Sequence, residues 1–224
     1  MSRNKIFFFS GVFLFFLFIL FSFLVHKNLF TNLDFNATVR LQDNIPRRLD
    51  SIFSIFSDIG KFEISTIVLI LILAFSRKFI AGISTMVLYV GFHFIELFGK
   101  FFVNHPPPPE FLLRTERIMN FPQFHVRSEF SYPSGHAGRT LFLSVILMVL
   151  ILQSKISKWL KIGLVLAIFG YNAVMFVSRV YLGEHWMTDV VGGAILGGAI
   201  GLIGGGLLSV SFKQSKSKPE KVKS

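Results

Sequence analysis

Apolar residues gather in six long blocks along the chain, separated by polar segments. The blocks cover about residues 6–25, 62–76, 79–103, 138–154, 162–178 and 188–212, and the first contains no charge. A bilayer's hydrocarbon core is about 30 Å thick, so a spanning helix needs roughly 20 largely apolar residues. The pattern therefore predicts an all-α fold: a bundle of six transmembrane helices. The second and fourth blocks are short and must recruit flanking residues or thin the bilayer locally. Between the first two blocks, Leu41, Ile45, Leu49, Ile52, Phe53 and Phe56 fall near helical spacing with Arg47, Arg48 and Asp50 among them. That spacing predicts one amphipathic helix lying at the interface. In the sixth block Gly193, Gly197, Gly201 and Gly205 recur at every fourth position, which lets another helix approach closely. Packing within the chain is the expected use, and a dimer has no other support in the sequence.

Composition agrees with the blocks. Hydrophobic residues make up 52% of the 224, charged residues 16%, and mean hydropathy is +0.63, whereas ordinary soluble domains carry about 25% charge. The chain has no Cys, so disulfides, thiol nucleophiles and Cys-ligated zinc are excluded. Arg3 and Lys5 precede the first block, but that block is long and no small-x-small cleavage site follows it. The expectation is a retained anchor rather than a cleaved signal peptide.

The net charge of +11 is distributed unevenly. With a cytoplasmic amino terminus, the inside segments hold Arg3, Lys5, Arg77, Lys78, Lys155, Lys158, Lys161, Lys213, Lys216, Lys218, Lys221 and Lys223 against the single acid Glu220. These account for the whole excess. Lys and Arg concentrate in short cytoplasmic loops, so both termini are expected inside the cell membrane. Residues 1–212 then form one membrane domain, and 213–224 a basic cytoplasmic tail that touches anionic lipid rather than nucleic acid. Residues 26–61 and 104–137 fall outside, and both exceed a simple helix connection.

Two polar clusters sit at the outer ends of spans, where charge is costly without a function or a partner. One is Tyr132-Pro133-Ser134-Gly135-His136, and the other runs from Ser178-Arg179 through Glu184-His185 to Asp189. Ser134 and Gly135 precede a helix whose first N–H groups make a natural anion site. Arg179 offers a planar fork of donors for a tetrahedral oxyanion. His185 and Asp189 are four apart, so the carboxylate can accept the imidazole Nδ1–H and leave Nε2 free to attack. His136 supplies a second imidazole as acid for the leaving oxygen.

Pro133-Ser134-Gly135-His136 and Ser178-Arg179-x5-His185-x3-Asp189 resemble the second and third signatures of the type 2 phosphatidic acid phosphatase (PAP2) superfamily. Eight fixed positions in two blocks, in order and two spans apart, carry the likeness. The resemblance implies a metal-independent and cofactor-free reaction through a phosphohistidine on a membrane lipid phosphate or polyprenyl diphosphate. His185 would be the nucleophile, Asp189 its orienter and His136 the general acid, with Ser134, Gly135 and Arg179 binding phosphate. A phosphotransferase serving an alcohol or sugar acceptor, and a non-catalytic lipid-binding protein, remain alternatives.

The first signature of that family departs from its pattern. A Lys, six residues and Arg-Pro are expected; the chain has Lys100, then residues 101–106, then Pro107-Pro108. Lys100 is kept as a phosphate-binding residue, with His93 and Glu96 on the same helix face. Arg114 is the favoured substitute for the missing arginine, ahead of Arg117 and Arg127, with Arg139 as runner-up because it lies three residues beyond His136. Pro106 to Pro109 reads as a stiff spacer. His105 and His125 read as solvated loop histidines, and Tyr181 and Trp186 as interfacial aromatics.

Overall fold

The computed structural model describes residues 3–76, 78–115 and 129–214, with side chains up to 209. All regular structure among them is helical: α1 (Arg3–His26), α2 (Thr31–Asn44), α3 (Asp50–Ile59), α4 (Phe62–Ser76), α5 (Phe79–Phe102), α6 (Gly135–Gln153), α7 (Lys158–Tyr181) and α8 (Met187–Gln214). Five of these, α1, α5, α6, α7 and α8, are long and apolar enough to cross a membrane. The fourth block, read as short, gains its missing turn from residues 135–137 at the start of α6.

The second block behaves differently. α4 has 15 residues, about 22 Å at 1.5 Å per residue, less than the hydrocarbon core. It reaches spanning length only with the preceding helical residues Arg47–Ile59, which meet it at a bend of 50°. The described residues therefore give five spanning helices, or six where this bent pair is counted as one.

A single amphipathic helix over residues 41–56 is not what forms. Pro46 lacks an N–H and forces the residue before it out of the helical region. Ile45 accordingly sits at φ −105°, ψ 120° and Pro46 at φ −64°, ψ 140°. α2 ends at Asn44, a 3-10 turn covers Arg47–Leu49, and α3 starts at Asp50. Both helices are built inside out. α2 buries Asp34, Thr38 and Gln42, three polar side chains on one i, i+4, i+8 stripe, and exposes Leu33 and Phe35. α3 buries Asp50, Ser54, Ser57 and Asp58 while Ile52, Ile55 and Ile59 face outward. Their inner faces are polar because they cover the polar end of the bundle.

α8 is the central helix, packed between α1 and α6. A Cβ on Gly197 would lie 2.0 Å from the Gly138 carbonyl, and one on Gly193 would lie 2.2 Å from that of Ser134. The glycine repeat thus brings the α6 and α8 backbones together and sets the two motif-bearing helix starts side by side. α1 seats Gly11 against Ala199 on the opposite face. α7 and α1 keep most of their surface outward, with Phe13, Phe16, Trp159, Leu166 and Phe169 exposed. In a bilayer that surface meets lipid.

Candidate active site

The end of α5, the start of α6, the end of α7 and the start of α8 meet at one end of the bundle, beneath α2 and α3. His185 lies in the link between α7 and α8, just before α8. Its Nδ1 is 3.2 Å from Asp189 Oδ2, which also accepts the Trp186 N–H at 3.0 Å. The residue preceding α8 is Trp186, whose side chain has no acceptor, so Asp189 in the first turn reaches back as the acidic half of a capping box does. One carboxylate fixes both the helix start and the imidazole. Burial, with Arg179 next, holds the His185 pKa well below its ordinary value of 6.5. That direction favours the neutral ring, and the tautomer that donates Nδ1–H to Asp189 is the one that leaves Nε2 free.

His136 is in the first turn of α6, within electrostatic reach of Arg179, Arg139, His185 and Lys100. Ser134 is the N-cap of α6: its hydroxyl accepts from Ala137 N, and its own N–H donates to the Asp189 carbonyl at 2.9 Å, joining the two motifs directly. Gly135 has a steric reason to be glycine, since a Cβ there would stand 1.9 Å from Glu96 Oε1 and 2.6 Å from an Arg139 nitrogen.

Arg179, 2% exposed, donates through its two terminal nitrogens to Ser57 and to Glu184. Burial alone would raise the Glu184 carboxyl; the Arg179 charge overcomes this and holds it below its ordinary value. The Arg179 Nε is buried with no acceptor. A buried donor left unpaired costs about 1–3 kcal/mol, and an anionic oxygen in the site would relieve it. Among the described residues Lys100 makes no ion pair, although its charge interacts with Glu96 and Asp189. Arg139 donates to Glu96 at 3.2 Å and to the Gly60 carbonyl at 3.1 Å.

Seven of the sequence candidates thus come together: Lys100, Ser134, Gly135, His136, Arg179, His185 and Asp189. Arg114 does not join them. Its guanidinium donates to the Gln42 carbonyl and the Tyr181 hydroxyl and stacks over the Tyr181 ring at 5.3 Å, so it fastens the loop after the proline run to α2 and α7. Arg139, the runner-up, stands in the cluster. Arg117, Arg127 and His125 lie outside the described residues.

Two sequence expectations give way to buried roles, and Trp186 keeps a half-exposed one. His105 is only 4% exposed, with its Nε2 3.2 Å from Thr188 Oγ1 and 3.5 Å from Asp189 Oδ1; it is enclosed behind the dyad, not solvated. Tyr181 is fully buried and donates to the Asp50 carboxylate, so it belongs to the interior rather than the interface. Trp186 is half-buried, its indole N–H donating to the Pro106 carbonyl at 2.8 Å, which pins the proline run beside the His185 link. Sequence reasoning also missed Asp34, Gln42 and Ser57. Gln42 donates to the Leu112 and Tyr181 carbonyls at 2.7 and 2.8 Å. Gly183, at φ +70°, leaves room for the Leu112 carbonyl, which would lie 2.2 Å from any Cβ there. The signal for the α2 residues was available as the polar stripe Asp34, Thr38, Gln42.

Fold and site together describe an all-helical membrane protein with two imidazoles, a carboxylate and three cations gathered at one end. The PAP2 superfamily model matches residues 82–212, more than half of the chain and all of its motif residues, and the chain belongs to that superfamily. It is an enzyme, a membrane phosphatase of that family. Undecaprenyl-diphosphatase of Sulfolobus acidocaldarius is 30% identical over 156 residues, covering 69% of this chain and 68% of that protein. Phosphatidylglycerophosphatase B of Bacillus subtilis is 38% identical over 73 residues, 31% of this chain and 35% of its own length. The crystal structure of a transmembrane PAP2-type phosphatidylglycerolphosphate phosphatase from Bacillus subtilis superposes with a TM-score of 0.67 at 19% identity, covering 94% of this chain and 98% of the other. That likeness concerns the fold.

Proposed function

We propose that the enzyme hydrolyses a lipid phosphate or polyprenyl diphosphate at the outer face of the membrane, through a phosphohistidine on His185. The observation that carries this is the geometry of His185, its Nδ1 3.2 Å from Asp189 Oδ2 and its ring within electrostatic reach of Arg179, Lys100 and Arg139. The Nε2 lone pair attacks phosphorus, the bond to the leaving oxygen breaks, and that oxygen takes a proton from His136, which enters the step as the imidazolium and leaves it neutral. A water then attacks the phosphorylated ring, His136 takes its proton, the P–N bond breaks and phosphate leaves. Charge spreads over three phosphoryl oxygens during transfer, and fixed cationic donors around them lower the barrier. Among the described residues, Arg179 Nε, Lys100 and the Gly135 and His136 N–H groups are unspent donors for those oxygens. No step uses a metal, so turnover should persist in EDTA.

The named relatives act on polyprenyl and glycerophospholipid phosphates, which makes those two headgroup classes the substrates to try. Purified protein in detergent, given undecaprenyl diphosphate, phosphatidylglycerophosphate and phosphatidic acid, should release free phosphate from at least one. Transfer to an added alcohol without free phosphate would identify a phosphotransferase, and turnover of none would refute the proposal. The charge distribution supports cytoplasmic termini. Glu110→Cys, at the motif end, should react with an impermeant maleimide on intact cells, and Lys155→Cys, in the basic α6–α7 link, should not; the reverse pattern overturns the orientation.

A further inference from the structure

We propose that Asp34 and His105 are positioning residues for the reaction, holding Asp189 and through it the attacking ring of His185. The inference rests on the reading of His185 and Asp189 above. Asp34, on the inner face of α2 in its first turn, is 1% exposed; its Oδ1 accepts the Thr188 N–H at 2.8 Å and its Oδ2 the Thr188 hydroxyl at 2.7 Å. A carboxylate 154 residues away in sequence therefore takes over the capping that Trp186 cannot provide. Thr188 immediately precedes Asp189. Fixing its backbone and side chain together fixes the first turn of α8, and with it the direction of the Asp189 carboxylate.

His105 closes the arrangement from the other side. Its backbone carbonyl accepts both the N–H and the hydroxyl of Ser131, at 3.0 and 3.1 Å, so its own place is set by the segment leading into the second motif. Burial pushes its pKa down to about 4, leaving a neutral ring with one N–H. The Thr188 hydroxyl hydrogen is spent on Asp34 Oδ2, so Thr188 Oγ1 accepts from His105 Nε2–H at 3.2 Å. Nε2 also lies 3.5 Å from Asp189 Oδ1, an oxygen with no closer partner among the described residues, though the Ser131 side chain also interacts with that carboxyl group. Asp189 thus stands between two imidazoles, one of which attacks while the other, backed by Asp34, stops the carboxylate from turning. A loop helix distant from every motif becomes part of the apparatus.

The test compares His105→Ala, His105→Gln, Asp34→Ala, Asp34→Asn and His185→Ala in the purified full-length enzyme, reading kcat, KM, melting temperature and elution volume for each. A displacement of about 1 Å in a reacting group costs about 10²-fold in rate. Both alanine variants should lose about 10- to 100-fold in kcat with KM changed less than about threefold. His105→Gln, whose amide N–H replaces Nε2–H, should recover to within about fivefold of the wild type, and Asp34→Asn, which keeps one acceptor for the Thr188 N–H, should fall between Asp34→Ala and the wild type. Alanine variants within about twofold of wild type would overturn the inference, as would a kcat loss in His105→Ala that His105→Gln does not relieve. If His185→Ala stays active, the nucleophile reading falls; if it is dead while the Asp34 and His105 variants behave as wild type, only the positioning inference falls.

Discussion

Residues 82–212 and residues 31–59 face the same site and are written in different codes. The first region carries its chemistry in fixed local spacings, Pro133 to His136 and Ser178 to Asp189, and the helices they open or close fall where the apolar blocks end. The second has no motif, and its helices turn Asp34, Gln42, Asp50 and Ser57 inward while Leu33, Ile52 and Ile55 face out. The proposed reactive groups come from the first region, which restrains some of them itself, and the second adds further restraints: Ser57 on Arg179, Asp34 on Thr188, Gln42 and Asp50 around Tyr181. In a membrane enzyme with its site at the bundle end, the covering helices meet a polar interior, so the usual sense of amphipathicity inverts.

Breaking the first region should have the largest effect. His185→Ala removes the attacking atom and should leave no measurable turnover. His136→Ala loses a positioned proton donor, a loss of about 10² to 10⁴ in rate, and should be relieved on a substrate with a good leaving group. Equal activity losses on good and poor leaving groups would contradict the acid role.

The two arginine candidates sharpen the contrast. Arg139 lies in the cluster against Glu96 and Gly60, whereas Arg114 stacks on Tyr181. Arg139→Ala should reduce kcat/KM by about 10²-fold or more, roughly 3 kcal/mol of transition-state stabilisation. Arg114→Ala should lose less than about tenfold. The opposite order would return the missing arginine's role to Arg114.

Much of this was legible from residues alone. Block lengths marked the spans because lipid demands long apolar runs, and the glycine repeat marked the α6–α8 contact because only glycine admits backbones so close. The motif residues assembled because both signatures sit at helix starts or ends on one side. What stayed hidden depended on burial at a distance. His105 in a polar, proline-rich stretch looks solvated until Asp34, Thr188 and Asp189 are seen around it. Arg114 follows an apolar triplet that suggested an inward turn, but the Tyr181 ring and the Gln42 carbonyl lie nearer than the phosphate site. The apolar spacing of residues 41–56 fits one helix, but Pro46 breaks it, because it lacks an N–H and holds Ile45 in an extended conformation.

Smaller effects should come from the covering helices and from pH. Ser57→Ala takes one acceptor from Arg179 and leaves Glu184 in place, so a loss of about three- to tenfold in kcat/KM is expected, roughly one hydrogen bond's net worth of about 1 kcal/mol. No change would show that Glu184 alone positions the guanidinium. In the proposed mechanism His185 attacks only when neutral, and its pKa is held well below 6.5 by burial and then by Arg179. Activity should therefore persist as pH falls through 6.5 and fail only when His185 protonates at a lower value. A kcat/KM profile with its acid limb at or above 6.5 would contradict the neutral, desolvated ring.

The central claim is the covalent intermediate, and trapping it tests that claim most directly. Enzyme mixed rapidly with a reactive phosphate ester, quenched in alkali where phosphohistidine survives, and digested for mass spectrometry should carry one phosphoryl group on His185 in the wild type, accumulate it in His136→Ala, and lack it in His185→Ala. Phosphate found on another residue, or retained in His185→Ala, would contradict the account.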